Sequence, residues 1–347
     1  MTANYHKYIL HFKRPSGTSR GVLTEKETWF LIVEDGSKIG IGECGILKGL
    51  SIDDRPDYVN MLKWTCENIQ LGLDKLIIEL IGFPSIQFGL EMAFLSFASK
   101  DKFTLFPSRF TNGKASIPIN GLVWMGDKQF MNEQIKDKLN QGFKCIKMKI
   151  GAIDFKTEIE VLKSIRKEYS STDIEIRVDA NGAFIHGEAL EKLKILSELE
   201  LHSIEQPIAP NQVEQMARLC EFSPLDIALD EELLGIFGVT KKRELLQTVN
   251  PKYIILKPSL VGGIAGTTDW INQAEDCNIK WWITSALESN VGLNAIAQWT
   301  YTLGNFMPQG LGTGSLFTNN FLSPLQVENG TLWYEKNGTW NFNLVSE

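Results

Sequence analysis

Eight short apolar segments decide the fold: IPINGLVW (117–124), KCIKMKI (144–150), IEIRVDA (174–180), HSIEQP (202–207), DIALDEE (226–232), YIILKP (253–258), KWWITSAL (280–287) and, more weakly, PQGLGTG (308–314). Amphipathic helical patterns lie between them, for example at 155–169, 187–199, 211–222 and 264–277. Strict alternation of strand and helix with short connections predicts a parallel sheet. Eight such strands within about 200 residues favour a closed TIM-type barrel over an open doubly wound sheet.

Both ends of the chain have a different pattern. Residues 5–13 and 27–45 alternate as antiparallel strands, with a turn at Asp35-Gly36, and helical patterns follow at 58–71 and 85–101. The tail 329–342 also resembles a hairpin, in which Asn337-Gly338 separates two apolar pieces. We therefore predict an α/β protein in which an α+β capping domain (1–115, joined by 321–347) accompanies a barrel domain (116–320).

Composition excludes several classes of protein. The chain has 347 residues, 43% hydrophobic and 22% charged, which is typical of a folded globular protein. Its net charge of −7 argues against nucleic acid as a partner. The sequence contains no apolar stretch of the length that a signal peptide or membrane helix needs, and its five cysteines are scattered. We therefore expect a cytoplasmic protein that does not bind membranes.

Charged residues stand at the ends of five predicted strands. They are Lys147 and Lys149, Asp179, Glu205, Asp230 and Lys257. The successive gaps from Lys149 are 30, 26, 25 and 27 residues, each about one β/α unit. Since the active site of such a barrel lies at the carboxyl ends of its strands, these side chains are expected to meet in one pocket.

The three acids Asp179, Glu205 and Asp230 predict a metal site. Three carboxylates in one barrel mouth repel each other unless a cation neutralises them. Oxygen ligands without nearby Cys or His favour Mg²⁺, with Mn²⁺ as a possible substitute, over zinc. For any single acid, the alternative is a helix N-cap or a salt bridge at the rim.

The two lysines of CIKMKI are two residues apart, so a strand places both on one face. A lone K-x-K is more often a solvated strand edge, but a closed barrel has no edge strand. Crowded lysines beside a metal are expected to have lowered pKa values, and a neutral lysine is a competent base. With Lys257 across the barrel, a carbon acid held on the metal would lie between lysines on opposite faces. The metal would stabilise the enediolate formed when the α-proton leaves.

Six motifs resemble the enolase superfamily, specifically its muconate-lactonizing subgroup. They are KMK (147–149), RVDAN (177–181), IEQP (204–207), ALDEE (228–232), LKP (256–258) and SALES (285–289). The resemblance implies a modified (β/α)₇β barrel under a cap formed by both termini. It also implies a lysine base that works with Mg²⁺ on a small anionic carboxylate.

Within the subgroup, the chain is most similar to the o-succinylbenzoate synthase family of menaquinone biosynthesis. The similarity lies in PSGTSRGVLTEK (15–26), LKPSLVGG (256–263), SALESNVGL (285–293) and QGLGTGSLFTNN (309–320). It implies that Lys149 removes the α-proton of 2-succinyl-6-hydroxy-2,4-cyclohexadiene-1-carboxylate and then protonates the departing hydroxyl in a syn-dehydration. Lys257 would act as a cation above the intermediate.

Two alternatives remain open. One is an N-acylamino acid racemase or dipeptide epimerase of the same subgroup, in which both lysines exchange protons. Dipeptide epimerases usually carry Asp-x-Asp at the eighth strand, where this chain has GLGTG (310–314). The other is a non-catalytic barrel, which a missing ligand or base would favour.

Further residues are predicted to bind substrate or to support the site. Ser19 and Arg20 lie in a loop that could close over an anionic substrate. Arg177 is expected to pair with the acids, Lys147 to support the site, and Asn181 to support a ligand carboxylate. Backbone amides or a hydroxyl for the succinyl carboxylate could come from Gly262, Gly263, Ser285 and Gly312, although turn residues need no such role. Asp230 is preferred over Glu231 as ligand, because Glu231 would point elsewhere in an extended segment, and Glu288 is assigned to packing or support.

Overall fold

The computed structural model describes residues 1–18 and 21–344. Its N-terminal region begins with an antiparallel sheet of three strands, β1 (Thr2–Thr18), β2 (Gly21–Asp35) and β3 (Lys38–Gly45). Gly36, at φ 60°, makes the turn between β2 and β3 where the sequence predicts one. Three helices follow, α1 (Tyr58–Glu67), α2 (Leu73–Glu79) and α3 (Pro84–Ala98). The sequence pattern predicts two helices here, at 58–71 and 85–101, so α2 is an addition.

A curled parallel sheet of seven strands forms the centre of the molecule. After the short β4 (Ile117–Pro118), the seven strands are β5 (Gly121–Val123), β6 (Cys145–Lys149), β7 (Glu175–Asp179), β8 (Ser203–Glu205), β9 (Ile227–Leu229), β10 (Tyr253–Leu256) and β11 (Lys280–Ile283). They are hydrogen-bonded in chain order from β5 to β11. This order confirms the predicted α/β fold class with a separate antiparallel N-terminal sheet.

The predicted eighth strand closes this sheet through single bridges. Gln309 bridges Ile119 and Gly310 bridges Thr284, both in parallel orientation. The Gly310 N–H donates to the Ile283 carbonyl at 2.8 Å. A Cβ at residue 310 would overlap with the Thr284 side chain, so glycine permits the close approach.

Helices cover the outside of the barrel. They are α4 (Lys128–Asn140), α5 (Phe155–Glu168), α6 (His186–Ser197), α7 (Val213–Phe222), α8 (Val239–Val249), the short α9 (Pro258–Val261), α10 (Gly263–Asp276) and α11 (Asn290–Thr302). Ile159 and Leu162 of α5 are buried, whereas Lys163 is exposed, as its amphipathic pattern requires. The Asp154 carboxylate caps α5 by accepting the Thr157 N–H at 3.1 Å.

The C-terminal hairpin consists of β12 (Leu325–Glu328) and β13 (Thr331–Tyr334), and β13 also pairs with β4. The turn that joins β12 to β13 is Asn329-Gly330, at φ 48° and 67°. Asn337-Gly338 lies in a second turn after β13, in which the Gly338 N–H donates to the Glu335 carbonyl at 2.9 Å, as the sequence predicts. The following residues pack on the N-terminal region, where Trp340 stacks on Phe103 at 4.2 Å between ring centroids. The domain boundaries given above stay predictions. Within the described part of the chain, no helix has the length and apolar character needed to span a membrane.

Candidate active site

The register of β6, β7 and β8 brings three charged side chains into one row. Lys149 is opposite Asp179, and Asp179 is opposite Glu205. The Lys149 Nζ lies 3.0 Å from Asp179 Oδ2, and the Lys147 Nζ lies 2.9 Å from the same oxygen. Lys147 also bonds to Glu205. The gaps of about one β/α unit therefore do bring these strand ends together.

Asn181 holds the Lys149 ammonium or amine from a second side. The Lys149 Nζ lies 2.6 Å from Asn181 Oδ1. The Asn181 backbone, at φ 43°, directs its N–H to Asp179 Oδ1 at 2.9 Å. Its side-chain amide donates to Glu231 Oε1 at 3.0 Å. Asn181 thus contacts the Asp179 carboxylate as the sequence predicts, and its functional role stays a prediction.

Lys257 faces the same pocket from the far side of the barrel. It follows β10 directly and bonds to Asp230, which follows β9. Pro258 then starts α9, which ends the strand at this position. We call Asp179, Glu205 and Asp230 the mouth carboxylates; all three are at most 3% exposed.

Charge separates the pKa values of the mouth carboxylates. Burial raises the pKa of Asp179, but the ammonium groups of Lys147 and Lys149 lower it overall. Lys257 likewise outweighs burial and lowers the pKa of Asp230. Burial and the Asp179 carboxylate together raise the pKa of Glu205 well above its ordinary value. Glu205 is therefore the acid whose ionised form most needs a further cation.

The pKa values of Lys147 and Lys257 shift in the direction opposite to the prediction. Burial lowers the pKa of Lys147 and of Lys257, but the surrounding carboxylates raise it overall in both cases. The predicted lowering rests on a divalent cation that neutralises the acids. In the arrangement described here, the lysines themselves neutralise them.

The mouth carboxylates fit a hard divalent cation by their donor chemistry. Glu205 Oε1 is buried and has no hydrogen-bond partner among the described residues. Within residues 1–18 and 21–344, no three acidic, His or Cys side chains are arranged to hold a metal ion, and Lys147 and Lys257 bind the three mouth carboxylates. An unsatisfied carboxylate oxygen between two further carboxylates is a natural oxygen ligand for Mg²⁺ or Mn²⁺.

A cavity opens directly above these charges. Its floor contains Lys147, Lys149, Asp179 and Lys257, and its N-terminal side is formed by Leu23, Leu47 and Leu50. Ser285 and Gly312 also line it, and the Ser285 Oγ lies 2.7 Å from Thr313 Oγ1. A charged floor under apolar walls is suited to a small charged ligand with an apolar part.

Comparison with known proteins agrees with this geometry. The family model described as "Enolase C-terminal domain-like" matches residues 131–338. This chain belongs to the enolase superfamily. It is 45% identical to the o-succinylbenzoate synthase of Desulfotalea psychrophila, over 96% of this chain and 98% of that protein.

Solved structures of the superfamily share the fold. The crystal structure of MenC from Desulfotalea psychrophila has a TM-score of 0.86 at 42% identity, covering 96% of this chain and 99% of that one. Muconate lactonizing enzyme from Pseudomonas fluorescens has a TM-score of 0.84 at 22% identity, covering 98% and 96%. The second likeness concerns the fold alone.

Arg177 does not join the charges of this enolase-superfamily pocket, so its predicted pairing with the acids is wrong. Its Nε lies 2.7 Å from Glu175, and its Nη1 lies 2.9 Å from the Pro308 carbonyl oxygen. The guanidinium also lies over the Trp282 ring, at 4.1 Å. Arg177 shares a strand face with Asp179, but its side chain reaches toward the opposite end of the barrel.

Gly262 and Gly263 are not at the pocket either. They pack against α3, where a Cβ on Gly263 would overlap with the Glu91 carboxylate. Glu91 accepts the Ala265 N–H at 2.9 Å and also bonds to the Ile264 N–H. A carboxylate of the protein itself therefore occupies the N-terminus of α10, next to the two glycines whose backbone amides are predicted to bind the substrate.

The remaining predicted site residues are Ser19 and Arg20, Glu231 and Glu288. Ser19 and Arg20 lie outside the described residues. The preference for Asp230 over Glu231 assumes an extended segment, but residues 231–233 form a 3₁₀ turn and Glu231 contacts Asn181. Three consecutive acids at a strand end are the signal that could have identified it. Glu288 is fully buried and accepts the Ser259 hydroxyl at 2.5 Å, in agreement with a supporting role.

Proposed function

We propose that this chain is an o-succinylbenzoate synthase of the cytoplasm. It would dehydrate 2-succinyl-6-hydroxy-2,4-cyclohexadiene-1-carboxylate to 2-succinylbenzoate, with Mg²⁺ or, as a substitute, Mn²⁺. The observation that carries the proposal is the placing of Lys149 and Lys257 around one cavity above the mouth carboxylates. The relative with 45% identity supports the choice of reaction.

Lys149 is assigned the proton transfer. Its Nζ contacts Asp179 Oδ2 and Asn181 Oδ1 and also lines the cavity. A neutral amine that donates two N–H bonds in this way keeps its lone pair for a third direction, toward the substrate α-carbon. After Lys149 takes the α-proton, its ammonium group protonates the hydroxyl that leaves as water. One lysine on one face accounts for a syn elimination, and the ring becomes aromatic.

Lys257 is assigned an electrostatic role. It is held by Asp230 and lies on the other side of the cavity floor. As an ammonium group, it stabilises the negative charge that spreads over the ring when the α-proton leaves. Asp179, Glu205 and Asp230 would hold the divalent cation, which when bound supplies Lewis-acid stabilisation of the substrate carboxylate.

One experiment tests this reaction against racemisation. The purified protein with Mg²⁺ is assayed for 2-succinylbenzoate formation, and separately for α-proton exchange of N-acylamino acids in deuterated water. We expect efficient dehydration. Exchange on both faces without dehydration would assign the pocket to racemisation instead.

A further inference from the structure

A second cavity adjoins the catalytic pocket. Five residues line both spaces: Asn120, Leu122, Trp124, Gly312 and Thr313. The Trp124 backbone in this shared wall is fixed by Gln134, which accepts its N–H at 2.9 Å and donates to its carbonyl at 3.0 Å. We call this second cavity the antechamber, because it shares these five lining residues with the cavity that contains the catalytic lysines.

Three cations border the antechamber. Among the described residues they are Lys13, Arg14 and Lys138, and the one acid there is Asp137. The chain as a whole is acidic, at −7, and would repel an anion without such a local excess of positive charge. None of the three cations forms an ion pair within the described part of the chain. Their charge is therefore available to a ligand.

Lys138 is the fixed member of this group. Its stem packs beside Gly121, and its Nζ lies 5.1 Å from the centroid of the Phe143 ring. Burial lowers the pKa of Lys138, which means that its ammonium group has lost part of its hydration. Its hydrogen-bond partner, Gln141 Oε1, is distant at 3.5 Å. An ammonium group in this situation gains from an anion that enters the cavity.

Lys13 and Arg14 reach the antechamber because β1 is interrupted. The register between β1 and β2 shifts between His11 and Ser16. In this interval the chain leaves β2, and the Lys13 N–H donates to the Leu316 carbonyl at 2.8 Å. Such an irregularity re-aims side chains, here toward the cavity.

Asn120 marks the junction between the two cavities. Its side chain is 5% exposed, and its Oδ1 has no hydrogen-bond partner among the described residues. A buried amide oxygen without a partner is costly, and it indicates a place for a ligand group or an ordered water. The antechamber thus has cations at its outer side and an unsatisfied polar group where it meets the pocket.

We propose that the antechamber is a binding site for a dicarboxylate, through which the substrate reaches the catalytic pocket. The identity of the dianion rests on the proposed function. Lys138 is its substrate-binding residue, and Lys13 and Arg14 attract the dianion from solvent. Since none of these residues touches the reacting atoms, they affect binding and leave the chemical step unchanged.

The test compares Lys138→Gln with Lys136→Gln. Both variants lose one positive charge from α4, but Lys136 is exposed and lines a different surface. We expect Lys138→Gln to raise KM roughly tenfold with kcat unchanged, and Lys136→Gln to match the wild type. Lys138→Arg should restore most of the loss. An unchanged KM in Lys138→Gln, or an equal rise in Lys136→Gln, would overturn the proposal.

A binding measurement separates this inference from the proposed reaction. Calorimetric titration with phthalate, an inert aromatic dicarboxylate, needs no turnover. Weaker binding in Lys138→Gln alone supports the antechamber even if the wild type forms no 2-succinylbenzoate. Equal phthalate affinity in all three proteins contradicts the antechamber even if the dehydration assay succeeds. Thermal unfolding of each variant verifies that it is folded.

Discussion

Two sets of buried carboxylates differ in what binds them. The mouth carboxylates are held by lysines at the carboxyl ends of β7 to β9. A second set, the N-terminal carboxylates Glu43, Asp53 and Glu91, is equally buried, at 7% exposure or less. Its members accept hydrogen bonds from backbone amides and hydroxyls, such as the Ser289 N–H for Glu43 and the Ser85 hydroxyl for Asp53.

The pKa values follow this difference. Burial raises the pKa of Asp53 to about 6 and that of Glu91 to about 7, since uncharged donors offset it only in part. At the mouth, lysines lower the pKa of Asp179 and Asp230 in spite of burial. Glu205 is the exception, because burial and the neighbouring Asp179 carboxylate raise its pKa although Lys147 binds it. A carboxylate that is bound to a lysine can exchange this partner for a metal ion, and the lysine then becomes free for proton transfer. Carboxylates bound to amides hold two parts of the chain together.

The largest expected effect is the loss of Lys149. Lys149→Ala removes the group assigned both to take and to return the proton, so we expect kcat to fall roughly 10⁴-fold. The unfolding temperature and Mg²⁺ binding should stay as in the wild type. Lys163→Ala, at an exposed position of α5, is the control. Substantial residual dehydration in Lys149→Ala would end its assignment as the base.

A metal-dependent loss is expected for the mouth carboxylates. Asp179→Asn or Glu205→Gln should weaken Mg²⁺ binding more than about 100-fold. Loss of a metal ligand costs more affinity than loss of a group that only orients a ligand, which typically costs about 10- to 100-fold. Glu175→Gln is the matched control, since Glu175 begins the strand that Asp179 ends. Rates measured against Mg²⁺ concentration test this. An unchanged Mg²⁺ dependence would mean that Asp179 and Glu205, like the N-terminal carboxylates, do not bind the metal.

A smaller effect is expected at Lys257, where charge and geometry can be separated. Lys257→Ala should lower kcat roughly 100-fold, as when one charge-stabilising donor is removed. Lys257→Arg keeps the charge and should retain part of this activity. Steady-state rates of the two variants are compared under saturating Mg²⁺. Equal losses would show that proton transfer or exact placement, rather than charge, is what Lys257 supplies.

Lys149, Asp179 and Glu205 could be brought together from the sequence because each ends one of three successive strands, and the carboxyl ends of parallel barrel strands lie at the same end. The observed register then sets Lys149 opposite Asp179 and Asp179 opposite Glu205. The same periodicity misplaced Arg177. It correctly gives the face of the strand, but a long side chain two residues below Asp179 reaches the far end of the barrel, where Glu175 and Trp282 bind it.

Contacts between distant segments could not be predicted in this way. Glu91 and Gly263 are 172 residues apart, and nothing near either one indicates that they meet. The hairpin turn was ambiguous for another reason, since Asn329-Gly330 and Asn337-Gly338 are the same dipeptide. The strands that pair across a turn are β12 and β13, which flank the first, and β13 also pairs with β4. Tertiary pairing thus decides where local turn chemistry allows two answers.

The smallest expected effect concerns Glu91 and is one of stability. Its pKa of about 7 in the folded protein exceeds its ordinary value of 4.5, so the folded state holds the proton more tightly. This contribution to stability is full below about pH 4.5 and is lost as the pH rises to about 7. Glu91→Gln has no proton to lose.

Between pH 5 and pH 8, the free energy of unfolding of the wild type should therefore fall by about 2 kcal/mol relative to that of Glu91→Gln. Urea unfolding at the two pH values measures this, with Glu79→Gln on the exposed side of α2 as control. At fixed pH, kcat should be unchanged, because Glu91 binds the Ile264 and Ala265 amides and no group of the pocket. A fall in kcat comparable to that of Asp179→Asn would contradict this. It would mean that Glu91 positions the α9–α10 segment that follows Lys257, and that an amide-bound carboxylate thereby supports the chemistry.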